Sequence, residues 1–234
     1  MTHIEADIEA EAFIITKVEK QKKNRHRYNI FINEAYAFSV HEDILIKHRL
    51  IKGESIQVDQ TKQIIEDEER HKSYSKAVEL IGRRPHSIQE IERKLKEKGY
   101  EEDTISFTID TLKQQNYMND KEFAKILTEN RISGQRKGRN YIRQELQQKG
   151  VDQEFIRDAL DDINVEEEWN SALKLGEKKW SVTSGTKQDR RRKTVSFLLR
   201  RGFVGSLVTK VMKHIDAAGE DEELDIHIEE SFDD

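Results

Sequence analysis

A mainly α-helical chain is what this sequence predicts: three tandem three-helix repeats forming an elongated, curved body behind a small N-terminal antiparallel β/α extension. Three observations carry that prediction. Gly99, Gly150 and Gly202 lie 51 and 52 residues apart, and each is embedded in the same apolar pattern. Leu95, Leu146 and Leu198 stand four residues before; Ile105, Ile156 and Val208 six after; Ile109, Leu160 and Met212 ten after; Leu112, Ile163 and Ile215 thirteen after. Composition agrees, because one proline in 234 residues leaves helices uninterrupted. Charged residues reach 37% and apolar ones only 35%, against about 25% and 45–50% in an average domain. So thin an apolar share suits small units that bury their stripes against one another. Finally, the hydropathy period changes from two residues to helical spacing near residue 59.

The elements follow in order. An acidic segment, 1–12, precedes a strand-rich domain, 13–58. There Phe13, Ile14, Ile15 and Val18, then Tyr28, Ile30 and Ile32, then Tyr36, Phe38 and Val40 alternate as half-buried strands do. Lys20, Lys22, Lys23, Arg25 and Arg27 mark a basic hairpin tip, and Asn33-Glu34 a tight turn. Ile44, Leu45 and Leu50 suit a short helix that Gly53 ends. Asp59 is expected to cap a long helix through Ile64, Ile65, Tyr74, Ala77, Val78 and Ile81, closed by Gly82 and Pro85. Ser87 and Glu90 form a capping box that opens the next helix, which Gly99 ends at positive φ. The repeats divide as 59–118, 119–167 and 168–216, and an acidic segment, 217–234, follows. The first helices of the second and third repeats are expected over Phe123 to Ile132 and Trp169 to Trp180.

Chemistry-bearing motifs are few. Neither a G-x-x-x-x-G-K-[ST] nor a G-x-G-x-x-G loop occurs, nor a G-x-S-x-G elbow. The chain has no cysteine, and no two of its eight histidines share an i, i+4 spacing. His86 and His214 are expected at the surface. No catalytic residue, cofactor or metal is expected. Gly202-Phe203-Val204-Gly205 beside Arg200 and Arg201 has the form of a G-x-x-G backbone clamp, but Gly202 already serves as the helix cap of its repeat. No apolar run approaches the roughly 20 residues of a membrane span, so a cytoplasmic protein is expected. Nothing suggests a dimer seam, so a monomer is expected.

Charge is segregated. Residues 1–12 carry −4 and 217–234 carry −9, whereas 168–216 carry +8, twelve bases against four acids. Arg83 and Arg84 stand at the helix junction of the first repeat. Arg131, Arg136, Lys137, Arg139 and Arg143 surround that of the second. Arg190, Arg191, Arg192 and Lys193, with Arg200 and Arg201, hold that of the third. Four bases opening a helix oppose its dipole, a conflict that an anionic partner would relieve. These thirteen residues are the candidate binding positions.

Several of these residues together resemble the RecX family, the regulators of the RecA recombinase. In the first repeat they are Arg84-Pro85-His86-Ser87 with Glu90, Leu95, Lys98, Gly99 and Tyr100. In the second they are Tyr117-Met118-Asn119-Asp120 with Phe123, Ala124 and Arg131, then Gly138, Ile142, Leu146, Lys149 and Gly150. In the third they are Lys193, Phe197, Leu198, Arg200, Arg201, Gly202 and Phe203. Residues 13–58 are similar to the extension of the longer family members. Asn140-Tyr141 and Gly205-Ser206 depart from the common pattern. The resemblance implies a non-enzymatic modulator that binds RecA filaments on single-stranded DNA, in the groove or at the growing end. It would lower their ATPase, strand-exchange and coprotease activities, and so tune homologous recombination and the SOS response. Binding to bare nucleic acid is then expected to be weak, non-specific and steeply salt-dependent. A competing reading is a DNA-binding regulator using helix-turn-helix-like repeats on duplex DNA. Its candidate recognition helices, Glu102 to Leu112 and Glu154 to Ile163, are rich in acids that duplex DNA repels.

The acidic end offers a first test. If 219–234 folds back on the basic third repeat, deleting it tightens binding to the anionic partner, most of all at low salt. Equal affinity of the full and shortened chains at low salt would refute the fold-back.

Overall fold

The computed structural model describes the backbone of residues 13–230 and the side chains of 13–218. The acidic segment 1–12, and any fold-back of side chains beyond 218, lie outside the described residues. The chain forms two compact units, residues 13–84 with 91–117, and residues 85–90 with 118–230.

The first unit opens with a four-stranded antiparallel sheet in the order β3-β2-β1-β4, built from β1 (Phe13–Lys20), β2 (Arg27–Ile32), β3 (Ala35–His41) and β4 (Ser55–Ile56). Asn33 and Glu34 both take positive φ, as a two-residue hairpin turn requires. The inward positions Ile15, Ile30, Val40 and Ile56 pack with Ile44 of α1 (Glu42–Lys47), Leu50, and Ile64 of α2 (Val58–Ile81). Three expectations are corrected here. The short helix stops at Lys47 rather than at Gly53, whose positive φ instead turns the chain into β4, a strand too short to show a period. The long helix starts at Val58, capped by a reciprocal Gln57–Gln60 pair rather than by Asp59. Arg27 does not belong to the exposed hairpin tip. It makes a 2.7 Å ion pair with Glu68, a buried residue of α2.

The same unit holds α4 (Glu102–Gln114), which packs on α2 through a buried hydrogen bond from Thr108 to Ser73 (2.8 Å). Between them in sequence, α3 (Ile88–Lys96) is opened by the Ser87–Glu90 capping box. The Glu90 amide donates to the Ser87 hydroxyl, and the Ser87 amide donates to the Glu90 carboxylate. His86, expected at the surface, is buried beside this cap, whereas His214 is exposed.

In the second unit the helices are α5 (Asp120–Glu129), extended by a π-helical turn at Asn130–Gly134, α6 (Arg139–Gln148), α7 (Gln153–Asp161), α8 (Val165–Ser181), α9 (Lys187–Arg200) and α10 (Gly205–Glu230). All twelve apolar positions of the repeat pattern are buried, and Leu95, Leu146 and Leu198 are wholly so.

The second unit also shows why the repeat glycines recur. The start of each middle helix rests on the end of the next repeat's middle helix. At one junction the Ser87 hydroxyl donates to the Lys149 carbonyl (2.6 Å), and a Cβ on Gly150 would overlap Gln89. At the other, the Gly138 and Asn140 amides donate to the Arg201 and Gly202 carbonyls (3.0 and 2.9 Å). There a Cβ on Gly138 would overlap the backbone of Gly202 and Phe203, and one on Gly202 would overlap Tyr141. The following repeat also supplies a carboxylate to each helix start. Asp120 accepts from the Ile88 amide (2.9 Å), and Glu168 from the Arg139 amide (3.2 Å). Gly99 has the same positive φ as Gly150 and Gly202, but no atom lies within 4 Å of its Cβ position.

Gly138 and Gly99 therefore separate close approach from backbone conformation. Gly138, at φ −82°, is not strained by a side chain, only crowded by one. Gly138→Ala is expected to cost about 2–3 kcal/mol of the second unit's stability through overpacking against backbone. Gly99→Ala is expected to cost about 1 kcal/mol, from positive φ alone. Urea unfolding of both variants checks the order, and equal losses would contradict it.

Candidate functional site

The thirteen basic candidates fall into two groups once their partners are seen. Four are committed within the fold. Arg131 grips Glu145 with two hydrogen bonds (2.7 and 2.5 Å), which raises its pKa further above the usual guanidinium value despite partial burial. Arg139 holds Glu168 through two nitrogens (2.9 and 2.8 Å), and that carboxylate is almost wholly buried. Arg190 stacks on the Trp180 ring at 4.5 Å and donates to the Trp180 carbonyl (3.0 and 3.3 Å). Arg201 reaches back to the Gln135 carbonyl (3.1 Å) and lies over Phe197. These side chains hold helices together.

The others lie nearer solvent. Arg83 pairs with Glu79 one turn earlier, and Arg84 is exposed beside it. In the second repeat, Arg143 donates to Asn140 (3.0 Å) and Lys137 sits over Tyr141 at 3.9 Å. Arg136 takes positive φ and lines a shallow cleft with Glu166, Glu167 and Lys174. In the third repeat, Arg191 pairs with Asp216, Arg192 with Asp189 (3.5 Å), Lys193 donates to the Ser184 carbonyl (3.4 Å), and Arg200 to Ser196 (2.6 Å). Surface pairs of this kind contribute about 0–1 kcal/mol, so such partners exchange readily for another anion.

The structure also removes the dipole conflict read from the sequence. α9 begins at Lys187, with Thr186 as N-cap and Asp189 in its first turn, so the four bases 190–193 follow an acid rather than open the helix. The G-x-x-G clamp is likewise excluded for Gly202, because Tyr141 occupies the approach to its Cα.

What α9 presents outward is a mixed face. Arg191, Arg192, Val195, Leu199 and Arg200 line one open groove, with Leu199 half exposed. The two apolar members went unnoticed among the charges, although Val195 and Leu199 stand four residues apart, one face round from the buried Leu198. Apolar centres rimmed by arginine suit a protein surface carrying acids better than bare phosphate, which offers nothing to Leu199.

In the first unit, His41, Asp43 and His71 converge from three different elements. No sequence spacing announces that cluster, since 30 residues separate the two histidines.

Comparison with known proteins covers most of the described fold. Four family models match in chain order: the Regulatory protein RecX N-terminal domain over residues 13–57, and the first, second and third three-helix domains of RecX over 74–112, 119–160 and 166–212. A regulatory protein RecX of Clostridium perfringens (strain 13) is 33% identical over 192 residues, covering 81% of this chain and 90% of its own length. The chain belongs to the RecX family. The Bacillus subtilis regulatory protein RecX is also 33% identical, over 93% of this chain and 84% of the relative. Among solved structures, a crystal structure of regulatory protein RecX superposes with a TM-score of 0.71 at 30% identity, covering 86% of this chain and 99% of that one. RecX from Lactobacillus salivarius gives a TM-score of 0.59 at 25% identity over 64% of this chain. This is a family of regulatory proteins, and among the described residues no helix is long and apolar enough to cross a membrane.

The Arg139–Glu168 contact yields a prediction specific to this RecX-family fold. Arg139→Ala strands a buried carboxylate at the start of α6, and the expected loss is about 3 kcal/mol. Arg143→Ala, at an exposed site, is expected to stay within about 0.5 kcal/mol of the parent. Chemical denaturation of the two variants decides the matter, and similar stabilities would contradict it.

Proposed function

We propose that this chain is a non-enzymatic, mainly negative modulator of RecA that binds RecA filaments on single-stranded DNA. The observation that carries the reading is the outward face of α9, where Val195 and Leu199 lie among Arg191, Arg192 and Arg200. A nucleoprotein filament offers acidic and apolar protein surface next to phosphate, and such a face can use both. RecX-family membership supports RecA as the partner. Contact with DNA supplies a salt-dependent share of the affinity through counterion release. Contact with protein supplies the share that survives salt.

The alternative, sequence-selective binding to duplex DNA by the repeats, gains little from the exposed side of α7. Asp158 and Asp162 there pair with Lys121 (3.2 Å) and Lys125 (3.6 Å) of α5, using bases that a phosphate would need.

The test is RecA's single-strand-dependent ATPase on preformed filaments, titrated with this chain and with an Arg192→Glu/Arg200→Glu variant. Both positions are exposed, and neither is among the four arginines that hold the fold, so the variant is expected to fold normally. Inhibition by the parent, and inhibition weakened at least tenfold in the variant, is the expected result. Inhibition by the parent at amounts well below one per RecA indicates capping of growing ends, and inhibition only near equal amounts indicates occupancy of the groove. Full inhibition by the folded variant would refute the α9 face. No inhibition by the parent, together with selective duplex binding, would replace the whole reading by the alternative.

A further inference from the structure

Outside the basic faces, the most unusual chemistry in the molecule lies where the sheet, α1 and α2 meet. His41 ends β3, Asp43 stands in α1 and His71 in α2, and one ligand atom from each lies within 4.8 Å of the other two. The Asp43 carboxylate is 3.3 Å from Nδ1 of His41 and 3.9 Å from Nδ1 of His71. The two imidazole rings stack with their centroids 4.2 Å apart.

Two further contacts set the orientation of the rings. The Asp43 amide donates to Nδ1 of His41 at 3.3 Å as the N-cap bond of α1, a long contact that a cation at this nitrogen would displace. Nε2 of His71 faces the Ser75 hydroxyl at 3.4 Å. That contact directs the other ring nitrogen of His71 toward Asp43, in the way a distant partner orients a metal-ligating histidine. One ring nitrogen from each histidine and one carboxylate oxygen are thus gathered within 4.8 Å of one another.

We propose that His41, Asp43 and His71 form a binding site for a borderline divalent transition cation of the zinc type. Two imidazoles and one carboxylate are a donor set that suits Zn²⁺. Zn–N and Zn–O bonds of about 2.0–2.1 Å in a tetrahedron place neighbouring donors about 3.3 Å apart. The His41–Asp43 separation already has that value, and the His71 ring would turn out of its stack on His41 to bring the His71–Asp43 separation to it. Arg27 is the nearby charge that opposes a cation, and it is engaged by Glu68 at 2.7 Å. Around the site, His26 stacks on His41 at 6.0 Å and lies 2.6 Å from the Glu42 carboxylate, a second anionic group close by. A bound ion would tie the end of the sheet and α1 to the long helix α2.

The competing occupant is a proton shared by the two imidazoles, and the experiment separates the two cations. Untagged full-length chain, stripped with chelator, is titrated with Zn²⁺ in a calorimeter and with Co²⁺ in a visible spectrometer, while its melting temperature is followed. Expected are one Zn²⁺ per chain at micromolar affinity, visible Co²⁺ bands, and a melting temperature that rises with Zn²⁺. Asp43→Asn and His71→Gln are each expected to weaken uptake at least tenfold, and His214→Gln to leave it unchanged. Asp43 is largely exposed, so its variant tests the site without challenging the core. Absence of uptake at millimolar Zn²⁺, or parent-like binding by both site variants, would overturn the proposal and leave a proton as the shared cation.

Discussion

Everything in the second unit depends on one contact made twice: the start of one repeat's middle helix seated on the end of the next repeat's middle helix. Helix ends carry unsatisfied amides and carbonyls, and burying them without partners is costly. Here two ends satisfy each other. The Gly138 and Asn140 amides meet the Arg201 and Gly202 carbonyls, and Ser87 meets the Lys149 carbonyl. Backbones can come this close only where no Cβ intervenes, which is why Gly138 and Gly202 are glycines, while Gly150 leaves room for the Gln89 side chain. Asp120 and Glu168 complete the arrangement by placing a carboxylate at the amino end of the preceding middle helix, where the helix dipole favours negative charge. At the start of α9 the cap is local, Thr186 accepting from the Asp189 amide.

This constraint also sorts the arginines. A charge within reach of a buried carboxylate becomes part of the scaffold, as Arg139 does with Glu168. One that finds only an exposed neighbour keeps most of its capacity for an outside partner, as Arg192 does with Asp189. The +8 of the third repeat is therefore a poor guide to which side chains recognise anything. On the outer face of α9 a smaller set of these bases surrounds the half-exposed Leu199, and the proposed function rests on that face. Because Arg201 and Gly202 lie directly after α9 and carry the junction, that face is held in register with the second repeat.

Much of the fold was legible in the sequence because it repeats. Leu95, Leu146 and Leu198 with their glycines announce three copies of one unit, and the capping box at Ser87 and Glu90 is a local motif that needs no tertiary information. Local signals failed where neighbours in space decide. β4 is two residues long and exists because Phe13 and Ile14 pair with it. Arg27 looked like part of a polar loop until Glu68, 41 residues later, claimed it. Arg131 and Arg139 looked like surface bases because Glu145 and Glu168 lie 14 and 29 residues away, with no periodicity to link them. His41 and His71 belong to different elements and share no motif spacing.

The most direct measurement of the central claim is amide hydrogen exchange of the free chain, read at Gly138 and Asn140. Both precede or open α6 by sequence and would be ordinary, rapidly exchanging loop or first-turn amides without the neighbouring repeat. If the junction is the structural keystone of the second unit, they exchange as slowly as the core helix amides around Leu198, through global opening only. Exchange at the rate of an unprotected loop would contradict the account, because the repeats would then be beads on a chain rather than one bonded stack.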